Sequence, residues 1–194
     1  MNNTTLLIQH IERFTGPLLS VEATAIASFF KMKSLAKKEI IQQADAPCDV
    51  MCFVLKGCMR SYYLKENGIE QTVDFAIENW WMTDFLAFEQ QASSSFSLQA
   101  VERTEIFYLS SREYTSLLRA HPIMEKYFRS VFQKAFGAAQ HRLKFLYAFS
   151  REELYFHFEE QFPAFVQRIP QYLLASYLGF SPEYLSEIRK KRFS

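Results

Sequence analysis

After Pro122 the chain runs to Phe149 with no further proline and a single glycine, Gly137. A stretch so free of breakers predicts one helix of about 28 residues, about 42 Å long at the helical rise. A helix of that length projects beyond one small core. Its apolar positions include Met124, Phe128, Val131, Phe132, Ala135, Ala139, Leu143 and Leu146. Their mixed three- and four-residue spacing suits packing along a neighbouring helix. That stripe either covers the rest of the chain or pairs with a second copy, and the length of the helix favours a homodimer.

The sequence changes texture on either side of this helix. Asn3 to Phe30 carries helical spacing at Leu7, Ile11 and Phe14 and again at Val21, Ala25 and Phe29, with Gly16-Pro17 as the break. From Ser34 to Leu109 short β-type runs replace it: KKEIIQQ, DVMCFVLKG, CMRSYYLKENG, IEQTVDFAI, SFSLQAV and EIFYL. Asn67-Gly68 is the strongest hairpin signal among them, because both residue types accept the positive φ of a type I′ turn. Strands this close, without helices between them, predict an antiparallel barrel or sandwich. SSREYTSLLRAH then predicts a short helix capped by Ser111. Beyond the long helix, a further helix is expected from about Ser150 to Gln161, ending before Pro163.

Charge and cysteine content narrow the function. The net charge of +1 favours no class of charged partner, so any electrostatic case must be local. No apolar run approaches the length needed to cross a bilayer, and MNNTTLLIQHIERF lacks the pattern of a signal peptide. A cytoplasmic protein without membrane partners is expected. Cys48, Cys52 and Cys58 are an odd and sparse set, in keeping with a reducing compartment, and fall short of four thiolates for a cluster. His10, His121, His141 and His157 have no metal-binding spacing. With no phosphate loop, nucleophile elbow or catalytic carboxylate pair, no catalytic residue and no metal site are assigned, and a cupin-type enzyme is set aside.

The local charge lies at the end. In QYLLASYLGFSPEYLSEIRKK a helix reaching Leu178 meets Gly179, and Ser181-Pro182 supplies an N-cap followed by proline at the first helical position. Leu174, Leu178, Leu185 and Ile188 are spaced to pack across the turn, leaving Glu183, Tyr184, Glu187 and Arg189 to Arg192 outward. This predicts a helix-turn-helix, whose second helix enters the DNA major groove. Residues 164–194 hold five cations against two carboxylates, a net +3, while the rest of the chain carries −2. Cations at a helix C-terminus also suit its dipole, so the charge alone leaves both readings open.

The order of short helices, strands with an Asn-Gly hairpin, long helix and terminal helix-turn-helix resembles the Crp/Fnr family, relatives of the cyclic AMP receptor protein, over essentially the whole chain. FVLKGCMRSYYLKENGIEQTVDF and IPQYLLASYLGFSPEYLSEIRKK are similar to a Bacteroidetes-type lineage with short C-terminal domains. The resemblance implies an α+β fold in three parts. Residues 1–120 would form a cyclic-nucleotide-binding-like antiparallel β-roll (double-stranded β-helix) with flanking helices. Residues 121–149 would be a long dimerisation helix, and residues 150–194 a small helix-turn-helix domain, here without the C-terminal wing hairpin of the family. The implied protein is a cytoplasmic homodimeric transcription regulator that binds double-stranded DNA and senses a small-molecule effector. The alternative is a ligand-binding or protein-interaction module whose helix-turn-helix no longer reads DNA.

Two departures qualify the carry-over. In the family's nucleotide site a Gly-Glu pair and a downstream Arg-Ser or Arg-Thr hold ribose and phosphate. An ungapped carry-over sets these on Thr83-Asp84 and Ser94-Ser95, with Phe85 and Phe96 completing the effector pocket. No arginine stands there, and neutral serine donors do not replace a bidentate guanidinium, so weak or absent cyclic AMP binding is expected, and no cofactor. Trp80, Trp81, Phe85, Phe88 and Phe96 either line a repurposed apolar pocket or fill the core. On the DNA side, family arginines fall at Pro182 and Glu187, while a family glutamate is kept as Glu183. The implied DNA-facing set is Gln171, Tyr172, Ser181, Pro182, Glu183, Tyr184, Ser186, Glu187, Arg189, Lys190, Lys191 and Arg192.

Overall fold

The computed structural model describes residues 3–191. The chain forms two compact units that alternate along the sequence: Met1–Tyr63 with Asp74–Gln133, and Leu64–Val73 with Lys134–Ser194.

The first unit opens with α1 (Asn3–Thr15) and α2 (Ser20–Ala27). Gly16, at φ +90°, ends α1, a backbone conformation that costs glycine little. The strands follow as β1 (Lys31–Leu35), β2 (Ile40–Gln42), β3 (Met51–Lys56), β4 (Met59–Leu64), β5 (Glu70–Ala76), β6 (Trp81–Met82), β7 (Ser97–Ala100) and β8 (Thr104–Leu109). A short α3 (Phe85–Gln90) sits between β6 and β7, and α4 (Ser111–Ala120) follows β8. Among the described residues the strands make two four-stranded sheets, in the orders β1-β8-β3-β6 and β2-β7-β4-β5. β8 pairs antiparallel with both β1 and β3, with Lys33 and Val54 each opposite Ile106. The sandwich anticipated from the sequence is thus present.

Side-chain alternation along the strands divides the core. Cys52, Val54, Met59, Leu98 and Ile106 pack between the sheets. Phe53, Trp81, Phe107 and Leu109 face the other way, onto Leu7 and Ile11 of α1 and onto Met124, Tyr127 and Phe128. Such two-sided burial requires apolar residues on both parities of a strand, which is why MCFVL has no polar position. Each side chain buried this way contributes about 1.5–3 kcal/mol before the entropy of ordering is counted.

Three local expectations need correction. The Asn67-Gly68 hairpin forms, but its turn is not type I′. Gly68 has φ +78°, whereas Asn67 keeps an ordinary negative φ. Gly68 N–H donates to Lys65 O at 2.8 Å and Lys65 N–H to Ile69 O at 2.9 Å, the pattern of a turn centred on Glu66-Asn67 with glycine as the left-handed bulge residue. The cap of α4 is Ser110 rather than Ser111, because Ser110 exchanges hydrogen bonds with Glu113 in a capping box while Ser111 is bonded to Asp49. Pro163 opens a further short helix, α7 (Pro163–Arg168), since proline is as acceptable at the first helical position as it is disruptive inside.

The long helix, α5, spans Ile123–Ala148, 26 residues. Its expected stripe divides in two. Met124, Tyr127, Phe128 and Val131 are buried, with Phe132 packed beside them. Ala139, Leu143 and Leu146 are exposed, as are Phe136 at 65% and Tyr147 at 84%. Three helices complete the second unit: α6 (Arg151–Gln161) after a Ser150–Glu153 capping box, α8 (Gln171–Leu178) and α9 (Pro182–Lys191). In the same unit the tip of the β4–β5 hairpin grips α8: Thr72 N–H donates to Ser176 Oγ at 2.9 Å, and that hydroxyl donates to Glu70 O at 3.0 Å. Among the described residues no helix is long and apolar enough to cross a membrane.

Candidate nucleic-acid interface

The α8–α9 pair is built by its turn. Gly179 takes φ +79°, and Phe180 N–H returns to Ala175 O at 2.8 Å, which closes α8 with a left-handed cap. Two residues on, Ser181 Oγ accepts from Tyr184 N–H at 3.2 Å and its carbonyl from Leu185 N–H at 3.1 Å, so α9 starts with Pro182 in its first turn. Leu174, Leu178, Phe180, Leu185 and Ile188 are buried, fixing the apolar sides of both helices. The opposite flank of α9 is polar. Ser181, Pro182, Glu183, Ser186, Glu187, Lys190 and Lys191 are exposed, and Tyr184 and Arg189 are half-buried. Gln171 and Tyr172 are exposed at the start of α8, while Arg192 lies outside the described residues.

Two contacts on this flank involve residues far away in sequence. The Arg151 guanidinium lies 5.7 Å from the centre of the Tyr184 ring, a cation absent from the sequence-derived set. Lys191 Nζ forms an ion pair with Glu152 at 2.6 Å. The hydrogen bond to Glu152, with its charge, raises the lysine above its ordinary pKa. Arg151 and Glu152 are brought here by the start of α6, and no spacing within α9 signals them. The flank therefore mixes cations with Glu152, Glu183 and Glu187.

Of the residues of the expected effector pocket, Asp84, Ser94, Ser95 and Phe96 are brought together. Asp84 N-caps α3, accepting from Ala87 N–H at 3.1 Å, and its second oxygen accepts from Ser95 N–H at 2.8 Å and from the Ser94 hydroxyl at 3.4 Å. The single Ser94 hydroxyl hydrogen is shared with Phe96 O, the nearer acceptor at 2.8 Å, and Thr83 Oγ donates to Val50 O at 2.8 Å. Thr83, Asp84 and Ser94 are buried and Ser95 is exposed. The Ser95 N–H and the Ser94 hydroxyl, donors that would meet a phosphate, thus face the carboxylate that caps α3. Trp81 and Phe88 belong to the buried core, and Phe85 packs edge-on to Phe132 at 5.5 Å, whereas Trp80 is 43% exposed. Arg60 on β4 is a buried guanidinium, and it donates through Nε and Nη2 to Gln99 Oε1 of β7 at 2.9 and 2.6 Å. Cys48, Cys52 and Cys58 are buried free thiols, and burial pushes Cys52 up to about 12. Among the described residues no three histidine, cysteine or acidic side chains gather as a metal site.

Residues 32–121 match the family model of the cyclic nucleotide-binding domain. That span takes in both sheets, Asp84, Ser94 and α4. No curated protein matches the chain. Among solved structures, a transcriptional regulator of the Crp/Fnr family from Eubacterium rectale superposes with TM-score 0.69 at 15% identity, covering 90% of this chain and 83% of that one. FixK2 from Bradyrhizobium japonicum gives 0.65 at 19% identity, covering 84% and 83%. The Thermus thermophilus catabolite activator protein gives 0.57 at 19%, covering 92% and 85%. At these identities the likeness is one of fold, and it extends past the nucleotide-binding domain into the helices that follow.

Proposed function

We propose that this protein is a homodimeric DNA-binding transcription regulator of the Crp/Fnr type, in which α8 and α9 are the helix-turn-helix. The observation that carries the reading is the exposed polar flank of α9, held on a capped and buried scaffold. Ser181, Glu183 and Ser186 suit base edges, with glutamate able to accept from the cytosine amino group, and Arg189, Lys190 and Lys191 suit phosphates. The exposed half of α5 supplies the dimer contact. Phe136, Ala139, Leu143 and Tyr147 fall at spacings of three, four and four residues along one bare side of the helix. The fold likeness to regulators of this family supports the same conclusion.

A mobility-shift titration across salt concentrations, using a selected oligonucleotide pool, tests it. A DNA reader yields an enriched sequence whose binding weakens as salt rises. Replacing Lys190 and Lys191 by alanine should weaken every sequence alike and lower the salt slope by about two, while Glu183→Ala should alter preference. An unenriched pool refutes the reading. A protein-interaction module is the second reading, favoured by Glu152, Glu183 and Glu187 on the same flank.

The effector side follows the geometry of Asp84. This loop offers a phosphate a buried carboxylate and donors already engaged by it, so cyclic AMP is not the effector. Calorimetric titration with cyclic AMP should show no saturable heat. Cytoplasmic location and a non-enzymatic role accompany this reading.

A further inference from the structure

The second unit contains a cavity of about 600 Å³ between the C-terminal half of α5, α6 and α8. Its size lies in the range of small-molecule sites, which run from about 300 to 1,000 Å³. Small residues open it, Gly137 and Ala138 on α5. Rings wall it. The His157 ring of α6 packs tilted against Phe145 at 4.6 Å between centroids, and Phe158 lies 5.7 Å from Tyr177 of α8. Phe162 stands at the rim, 54% exposed.

The polar lining carries one formal charge, that of Arg142. Arg142, His141, His157 and Gln161 border the cavity, and among the described residues no carboxylate does. The Arg142 guanidinium lies 4.0 Å from the centre of the Tyr177 ring and donates to two backbone carbonyls, Tyr177 O at 2.8 Å and Val73 O. Those acceptors orient the charge without neutralising it. Most of the site faces away from Phe136, Ala139 and Leu143: successive residues turn by about 100°, which sets Ala138, His141 and Phe145 about half a turn away from them, while Leu146 borders both the cavity and the stripe. A second copy seated on Phe136, Ala139 and Leu143 would leave Ala138, His141 and Phe145 uncovered.

We infer that this cavity binds an apolar aromatic acid, its rings among Phe145, His157 and Phe158 and its anionic head toward Arg142 and His141. A flat apolar body matches walls made of rings, and a single negative charge matches a lining with one guanidinium, Arg142, and no acid. Because Tyr177 and Leu178 of α8 form part of the lining, occupancy bears directly on the helix that supports α9. The cavity is therefore an effector site separate from the Asp84 loop. Only its regulatory role rests on the DNA-binding reading; occupancy does not.

The test is calorimetry on the full chain without DNA, with 1-naphthoate as probe and uncharged 1-naphthalenemethanol as its partner. Naphthoate should saturate at one per chain, and the alcohol should bind about tenfold more weakly, as expected when a charge-assisted contact is lost. Ala138→Phe, which fills the cavity, should weaken naphthoate about tenfold or more, a loss of one buried ring's worth of contact. Phe162→Ala, at an exposed rim position that tolerates truncation, should weaken it severalfold and covers the case in which Ala138→Phe fails to fold. Absence of saturable binding, equal affinity for acid and alcohol, or unchanged affinity in the folded variants overturns the proposal. A failed titration leaves operator binding standing, and failed operator binding leaves the titration standing.

Discussion

Tyr127→Phe removes one oxygen and should cost the first unit far more than its size suggests. Tyr127 is fully buried on α5, and its hydroxyl lies 2.8 Å from both Trp81 Nε1 and His10 Nδ1. An indole N–H only donates, so the tyrosine oxygen accepts from Trp81. Its own hydrogen then points to His10 Nδ1, an arrangement that requires the His10 tautomer with its proton on Nε2. Burial pushes the Tyr127 hydroxyl well above the ordinary tyrosine value, outweighing the bond from Trp81, so it stays a neutral donor. Phenylalanine leaves a buried indole N–H and a buried imidazole nitrogen without their partner. At about 1–3 kcal/mol for each of the two stranded groups the loss should be about 2–6 kcal/mol, or about 4–24 °C in melting temperature for a chain of this length. Urea unfolding followed by circular dichroism measures it, with Tyr147→Phe on the exposed half of α5 as a control expected within about 0.5 kcal/mol. If Tyr127→Phe matches that control, the network does not hold α1, β6 and α5 together as described.

Four further outcomes follow from the geometry. A Cβ on Gly57, at φ +108°, would stand 2.6 Å from Thr104 Oγ1 and 2.7 Å from Thr104 Cα, so Gly57→Ala should destabilise by about 3 kcal/mol or more. Gly68→Ala meets nothing within 4 Å and should cost only about 1–2 kcal/mol for its positive φ, so equal melting temperatures for the two would contradict the difference in packing. Leu143→Glu should convert a dimer to a monomer in sedimentation velocity, and a wild-type monomer would remove the role given to the bare stripe. Glu152→Gln releases Lys191 and should raise DNA affinity about twofold to fivefold at low salt; a loss of affinity would mean that the pair positions α9 instead. Glu153 is held below the ordinary carboxylate range by the side-chain hydroxyl and backbone N–H of Ser150, so its stabilisation is complete above about pH 4.3 and is lost as pH falls through the folded value. Glu153→Ala should therefore show a shallower decline of stability with acid, and parallel curves would sink that assignment.

Much of the fold was legible because its signals are local. Breaker-free sequence gave the span of α5 to within a residue at either end, and Gly179 with Ser181-Pro182 marked both ends of the turn between α8 and α9. The misses share a cause. β6 is two residues long and α3 six, too short for any period to register, and β1 lies in KMKSL, where only Leu35 is buried. Asn67-Gly68 announced a hairpin but not its turn, because Glu66 competes for the corner and leaves glycine alone in the left-handed position. In the site, the convergence of Asp84 with Ser94 and Ser95 followed from the carry-over, whereas the capture of those donors by Asp84 depends on how the α3 cap closes. Arg151 beside Tyr184 and Glu152 on Lys191 were invisible for a different reason: about thirty to forty residues separate the partners, and one sequence records no pairing at that range.

The interleaving of the two compact units sets a rule for anyone recombining this chain with another. A single crossover placed in α5 would carry the last helices across but leave residues 64–73 behind, and with them the backbone groups that receive Ser176 and Arg142. A working chimera needs two grafts, the terminal helices and the hairpin tip, taken from the same parent.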